Sequence, residues 1–126
     1  MSRKSKPIDL GSKIVRIIES TRISVTCEEV AQDSIHVALR DAVPGVQREV
    51  RLSDRDRVDL MAGPVAIEVK VKKRQSRAQI LKQLERYAEH DEVKAVILAT
   101  ADAWPGTISD LNGKPLLVAS LTKGWL

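Results

Sequence analysis

The segment RVDLMAGPVAIEVKV, Arg57 to Val71, sets Asp59, Glu68 and Lys70 among residues that otherwise follow the pattern of a buried β-hairpin. Side chains alternate between the faces of a strand, so Val65, Ile67, Val69 and Val71 share one face and Ala66, Glu68, Lys70 and Lys72 the other. On the preceding strand Val58 and Leu60 share a face, opposite Arg57, Asp59 and Met61. Apolar faces of paired strands must coincide, which restricts the connection to an even number of residues. A loop of Ala62, Gly63, Pro64 and Val65 sets Leu60 against Ile67, Val58 against Val69 and Asp59 directly against Glu68. Moving the loop back by one residue makes Asp59 a diagonal neighbour of Glu68. Either way two carboxylates converge, with Cβ atoms roughly 4.5–5.5 Å apart when directly opposed, where like charges destabilise. Such a pair shares a proton or holds a cation. A hard divalent ion such as Mg²⁺ suits carboxylate oxygens and keeps waters and phosphate oxygens in its shell. Lys70 lies on the same face, beside the place such an ion takes.

Working outward, the period of two extends upstream. VQREVRL alternates at Val46, Arg48, Val50 and Leu52, SDRD makes a polar turn, and the two hairpin strands complete an antiparallel meander. Downstream, SRAQILKQLERYAEH is the clearest helix, with Ser76 as cap, Gln79 at the capping-box position and Ile80, Leu84, Tyr87 and Ala88 as its apolar stripe. Val93 to Ala99 is a nearly continuous apolar run, as a strand covered on both faces requires. Strand, helix and buried strand make a crossover unit, so that strand should run parallel to the one carrying Glu68. WPGTISDLNGK reads as loop and PLLVASL as a last strand. Upstream of the meander, Ile14, Ile17 and Ile18 suit a short amphipathic helix, although KIVRII also fits a strand. A second helix opens at Thr26 and Glu29, an S/T-x-x-E capping-box pattern, and runs to about Leu39. The expected fold is α/β, with a mixed central sheet of antiparallel meander plus parallel crossover strand, flanked by helices. Residues 1–13 read as a basic flexible tail and 14–126 as one domain.

Composition narrows the function classes. With 126 residues there is room for one ordinary domain. No apolar run approaches the roughly 20 residues of a membrane-spanning helix, and MSRKSKP lacks the apolar segment of a signal peptide, so the expected location is the cytoplasm. Cys27 is the single cysteine, which excludes an internal disulfide and a thiolate metal cluster. Neither His36 nor His90 is spaced to activate it. The net charge of +4 is modest, but Lys70, Lys72, Lys73, Arg74 and Arg77 crowd into one short run, and SRKSK adds a second basic cluster. Only Tyr87, Trp104 and Trp125 are aromatic, which is too few for a platform that stacks successive bases. A nucleic-acid partner would be held mainly through its phosphates.

Asp59, eight intervening residues, and then Glu68-Val69-Lys70 on a hydrophobic strand resembles the PD-(D/E)XK nuclease superfamily, in which a hairpin carries D and then E-x-K. QLERY places Gln83 and Tyr87 one helical turn apart, similar to the Q-x-x-x-Y often found there, and the resemblance covers about Glu28 to Val118. Val58 stands where the proline precedes the aspartate, a variable position in the family. The resemblance implies a restriction-endonuclease-like core and a Mg²⁺-dependent DNA nuclease, with Mn²⁺ able to substitute. Asp59 and Glu68 would be metal ligands, completed by the backbone carbonyl of Val69. Lys70 would orient or help deprotonate the attacking water. Many members add a glutamate from the first helix. Glu29 suits that role by its spacing to Gln32, Ile35 and Leu39, and equally suits a purely structural cap with Thr26; Glu28 and Glu49 are weaker candidates. Gln83 could reach the active face or serve only as a helix former, and Tyr87 suits the core. Lys72, Lys73, Arg74 and Arg77 could line the approach of a DNA backbone or form a solvated charge run.

Small cores of this kind are similar to archaeal Holliday-junction resolvases and stand-alone VRR-Nuc proteins of phages, which act as homodimers. That implies structure-selective (branched or junction DNA) or nonspecific cleavage, and a homodimer. The alternative is a catalytically inactive nucleic-acid-binding or assembly module of the same fold.

Overall fold

Strands β2 (Arg57–Ala62) and β3 (Val65–Lys70) pair antiparallel with Leu60 opposite Ile67, Met61 opposite Ala66 and Ala62 opposite Val65. This is the first of the two registers the sequence allows. Gly63 takes φ +57°, the left-handed conformation a two-residue hairpin needs at its first central position, and Pro64 follows it. The protein is described here as a computed structural model covering residues 6–106 and 108–126.

The hairpin sits inside a six-stranded mixed sheet of order β1-β2-β3-β4-β6-β5. β1 (Gln47–Arg51) pairs antiparallel with β2. β4 (Ala95–Thr100) pairs parallel with β3, and β6 (Lys114–Ser120) parallel with β4. Every residue of β4 is buried, which accounts for its unbroken apolar sequence. α3 (Arg77–Ala88) bridges β3 and β4. Its capping box is complete: Gln79 N–H donates to Ser76 Oγ and Ser76 N–H donates to Gln79 Oε1, an arrangement worth about 1 kcal/mol.

The helices cover both faces. Ile14 and Ile18 of α1 (Pro7–Glu19) and Ile35 and Leu39 of α2 (Glu28–Leu39) pack with Ile67, Val69, Ile97 and Leu117 in one cluster. Ile80, Leu84 and Tyr87 of α3 pack with Ala66, Val96, Leu98 and Leu116 in the other. No helix among the described residues is long and apolar enough to cross a membrane.

The structure departs from the sequence reading at four places. α1 begins at Pro7, so residues 7–13 are helix and not tail; Pro7 is pre-organised for the first helical position and Asp9 favours the dipole there. Of the SRKSK cluster, only Lys6 lies within the described residues. The N-cap of α2 is Cys27, with no side-chain cap bond, so Thr26 and Glu29 form no capping box. A shift of one residue suffices, because the box needs its Thr at the cap itself. Glu28, the first helical residue, points elsewhere: its Oε2 accepts the Val71 N–H at 3.3 Å and ties the start of α2 to the end of β3.

Third, residues read as loop contain a strand. β5 (Ile108–Leu111) pairs antiparallel with β6 across Asn112-Gly113. Both turn residues have positive φ, +52° and +90°, as an Asn-Gly hairpin turn favours. Asn112-Gly113 is itself a hairpin signal, obscured by the weak apolar alternation of Ile108–Leu111. Gly113→Ala should therefore destabilise the fold by about 1–2 kcal/mol and lower the thermal midpoint by several degrees. An unchanged midpoint would contradict the turn.

Fourth, the alternation of faces breaks at Asp59. Leu60 packs on the α1/α2 side, but Val58 packs on the α3 side with Met61, and the expected Val58–Val69 pair is absent from the ladder. On the neighbouring strand Glu49 has φ +54°, a conformation costly for a residue with a Cβ. On either side of it, Arg48 bonds Gln32 and Asp33 of α2 while Val50 packs toward α3. Two strands thus twist sharply at one level, and β2 separates from β3 just past Leu60 and Ile67.

Candidate active site at the opening between β2 and β3

The separation leaves backbone groups without ladder partners, and Asp59 fills part of the gap. Its Oδ2 accepts the Val69 N–H at 2.8 Å. In an extended strand the N–H and C=O of one residue point to the same side, so the Val69 carbonyl faces the same opening. Glu68 and Lys70, on either side of Val69, project toward α3. The Lys70 Nζ lies 3.1 Å from Glu68 Oε2, and both side chains are largely buried, at 14% and 5% exposure. Desolvation makes that ion pair a poor source of stability and a strong modulator of charge.

The two carboxylates do not ionise freely. Glu68 is pushed up to about 7, first by burial and then by the negative charge of Asp59; the Lys70 ammonium and the Tyr87 hydroxyl oppose the shift. Asp59 is also raised, first by burial, against the Val69 N–H and Lys70, with Glu28 and Glu49 adding repulsion. Burial and mutual repulsion therefore both favour a proton on the pair in the absence of a cation.

α3 braces Glu68 from the other side. Gln83 Nε2 donates to Tyr87 Oη at 2.8 Å, and that hydroxyl lies 3.1 Å from both Glu68 Oε1 and the Arg57 carbonyl oxygen. Burial and then the Glu68 charge raise the Tyr87 pKa, so the phenol stays protonated and can donate. Gln83 Oε1 is buried and has no hydrogen-bond partner among the described residues. Behind this layer, Arg86 Nε and His90 Nε2 each lie 3.0 Å from the buried Asp56 carboxylate in the β1–β2 turn. Burial alone would raise Asp56, but His90 and Arg86 outweigh it and hold it below its ordinary value. This tie anchors the end of α3 to the strand pair that carries Asp59.

The predicted residues divide accordingly. Asp59, Glu68, Lys70 and the Val69 backbone meet at the opening, and Gln83 reaches it through Tyr87. Glu29 is exposed on α2 and takes no part; the helix carboxylate next to the site is Glu28, one residue earlier on the helix turn. Among the described residues no group of three or more His, Cys, Asp or Glu side chains is gathered to hold a metal. The available set is two carboxylates and one carbonyl, all hard oxygen donors, which suits an ion that keeps several waters. Lys72, Lys73, Arg74 and Arg77 are exposed on the β3–α3 connection and the start of α3. Tyr87, Glu28 and the Asp56 tie are site residues that sequence reasoning underrated; Tyr87 was visible as a partner only through its spacing to Gln83.

Scans against protein-family models, curated proteins and solved structures each give no match.

Proposed function

We propose that this chain is a Mg²⁺-dependent DNA nuclease of the PD-(D/E)XK kind, built on a restriction-endonuclease-like core. The observation that carries this reading is that half-buried Asp59 and buried Glu68 stand close enough to repel one another, with Lys70 paired to Glu68, at a place where the sheet opens. A fold does not accept two such carboxylates at no cost, and a divalent cation is the partner that would let both ionise. Asp59, Glu68 and the Val69 carbonyl would hold the ion, and the unpaired Gln83 Oε1 would accept from one of its waters. Bound there, Mg²⁺ would lower the pKa of a water and offset charge on a phosphate oxygen.

The chain's own groups then have distinct tasks. Lys70 places an ammonium at the mouth of the site, where it stabilises charge developing on the scissile phosphate. Tyr87 and Gln83 hold Glu68 in one rotamer. Lys72, Lys73, Arg74 and Arg77 receive the phosphates that flank the cut, so binding should weaken steeply with salt. The substrate is DNA, with branched or otherwise distorted forms favoured, and a homodimer would present two such sites.

A second reading is a DNA-binding module without activity. It is favoured by the closed Glu68–Lys70 pair and by the lack of a third acidic ligand among the described residues. Incubating the protein with linear, nicked, flapped and four-way DNA in Mg²⁺ or Mn²⁺ separates the two. Cutting of at least one form is expected; binding without cutting of any form would replace the first reading by the second.

A further inference from the structure

At the carboxyl ends of the parallel strands β3 and β4 lies a cavity of about 220 Å³, and its floor is formed by Lys70 and Thr100. Crevices outside the carboxyl ends of parallel strands are the usual binding places of open α/β sheets. Its lining is mostly basic, with Lys72, Lys73 and Arg77 against the single carboxylate of Asp102, and it includes the indole of Trp104. The Arg77 guanidinium stands 5.9 Å from the centre of the Trp104 ring. The volume falls below the roughly 300–1,000 Å³ of sites for drug-sized ligands, which leaves room for one flat ring system. Neither Asp59 nor Glu68 lines it, yet Lys70 belongs to both places.

We infer that this cavity receives a single unpaired nucleobase, stacked on Trp104, from the nucleotide adjoining the phosphate that Lys70 contacts. The inference rests on the nuclease reading above and gives it a substrate class: DNA with an unstacked nucleotide at the cut, such as a bulge, flap or single strand. Cations on the rim suit the phosphates on either side of the base, and the indole supplies what a base needs once it has left its stack. A paired base cannot enter a cavity of this size without leaving the helix, and the unpairing cost is least where no partner exists. One aromatic suffices for one base, so the scarcity of aromatic residues in the chain is no obstacle.

The test reads base insertion apart from cleavage. Protein carrying Trp125→Phe, which leaves Trp104 as its one indole, is titrated in EDTA with a paired duplex and with the same duplex bearing one bulged 2-aminopurine. The bulged duplex is expected to quench Trp104 and to lose 2-aminopurine emission, while the paired duplex does neither. Trp104→Ala should weaken binding of the bulged duplex roughly ten-fold or more, the scale of one base–aromatic stack, and leave the paired duplex unchanged. Trp104→Phe retains a ring and should largely restore the preference, which separates stacking from a folding defect. Unchanged Trp104 emission at saturation, or equal weakening of both duplexes by Trp104→Ala, would overturn the inference. Because no Mg²⁺ is present, failure of the nuclease reading shows separately, as base insertion without cutting when Mg²⁺ is added.

Discussion

Lys70→Ala should lower single-turnover cleavage of the preferred DNA by about 10²–10³-fold while leaving binding in EDTA nearly intact, the scale expected when one preorganised electrostatic group is lost. The geometry explains why the effect should be large. Lys70 is the cation whose charge favours ionisation of both Asp59 and Glu68, and its side chain is only 14% exposed. Its removal takes a positive charge from beside the phosphate and leaves Glu68 with less reason to ionise. Residual activity should therefore rise more steeply with pH than that of the wild type. Lys70→Arg should not rescue, because a planar guanidinium does not fit a nearly buried site shaped for a compact ammonium. Asp59→Ala should be at least as damaging to cleavage, since it removes a donor from the proposed metal set and frees the Val69 N–H. By contrast Lys72 and Arg74, fully outside this site, should affect affinity and its salt slope. Cleavage by Lys70→Ala within a few-fold of wild type would remove Lys70 from the chemistry.

In EDTA the protein should lose stability as pH rises from about 5 to 8, and Mg²⁺ should restore it most at the alkaline end. Glu68 holds its proton more tightly in the folded chain, up to about 7, than its ordinary value of 4.5. Below the ordinary value both states are protonated and the full contribution is present. As pH rises through the window, the unfolded chain releases its proton first, and the loss is complete above the folded value. The difference corresponds to about 3 kcal/mol. A cation bound by Asp59 and Glu68 stabilises the folded state by mass action and displaces that proton, so its affinity should climb over the same window. Glu68→Gln should flatten the pH dependence and abolish the response to Mg²⁺. Asp56 works in a different window: held below its ordinary value of 3.8, it stabilises above that pH and its contribution is lost on further acidification. Thermal melts across this range, with EDTA or Mg²⁺, check the set. A midpoint that rises from pH 5 to 8 in EDTA, or a slope undiminished by Glu68→Gln, would contradict it.

The hairpin register, the helix at Ser76 and the parallel buried strand were legible because each depends on local chemistry. Even spacing between apolar residues, a Ser-x-x-Gln cap and an unbroken apolar run all act within a few residues. The same local signals brought Asp59, Glu68 and Lys70 to one neighbourhood. What parity could not supply was the break in alternation at Asp59. Strict parity puts Val58 and Leu60 on one face, whereas they pack on opposite faces of β2, beside a β1 whose Glu49 has φ +54°. That break involves two strands and the helices they pack against, and no window of one strand contains it.

Glu28 and Glu29 show the same boundary. Both are acidic residues of one helical turn, and a capping pattern favours Glu29, but it is Glu28 that accepts the Val71 N–H at the end of β3, while Cys27 caps the helix. By itself, then, the sequence determined the order of elements from α2 to β4, the hairpin pairing and the trio of charged residues, since these follow from periodicity and turn chemistry. Only the tertiary structure decided that the sheet opens beside Asp59, that Glu68 is buried under Tyr87 and that Trp104 closes a cavity next to Lys70. Each of those depends on side chains far apart in the chain, whose contacts form only when both faces of the sheet are covered.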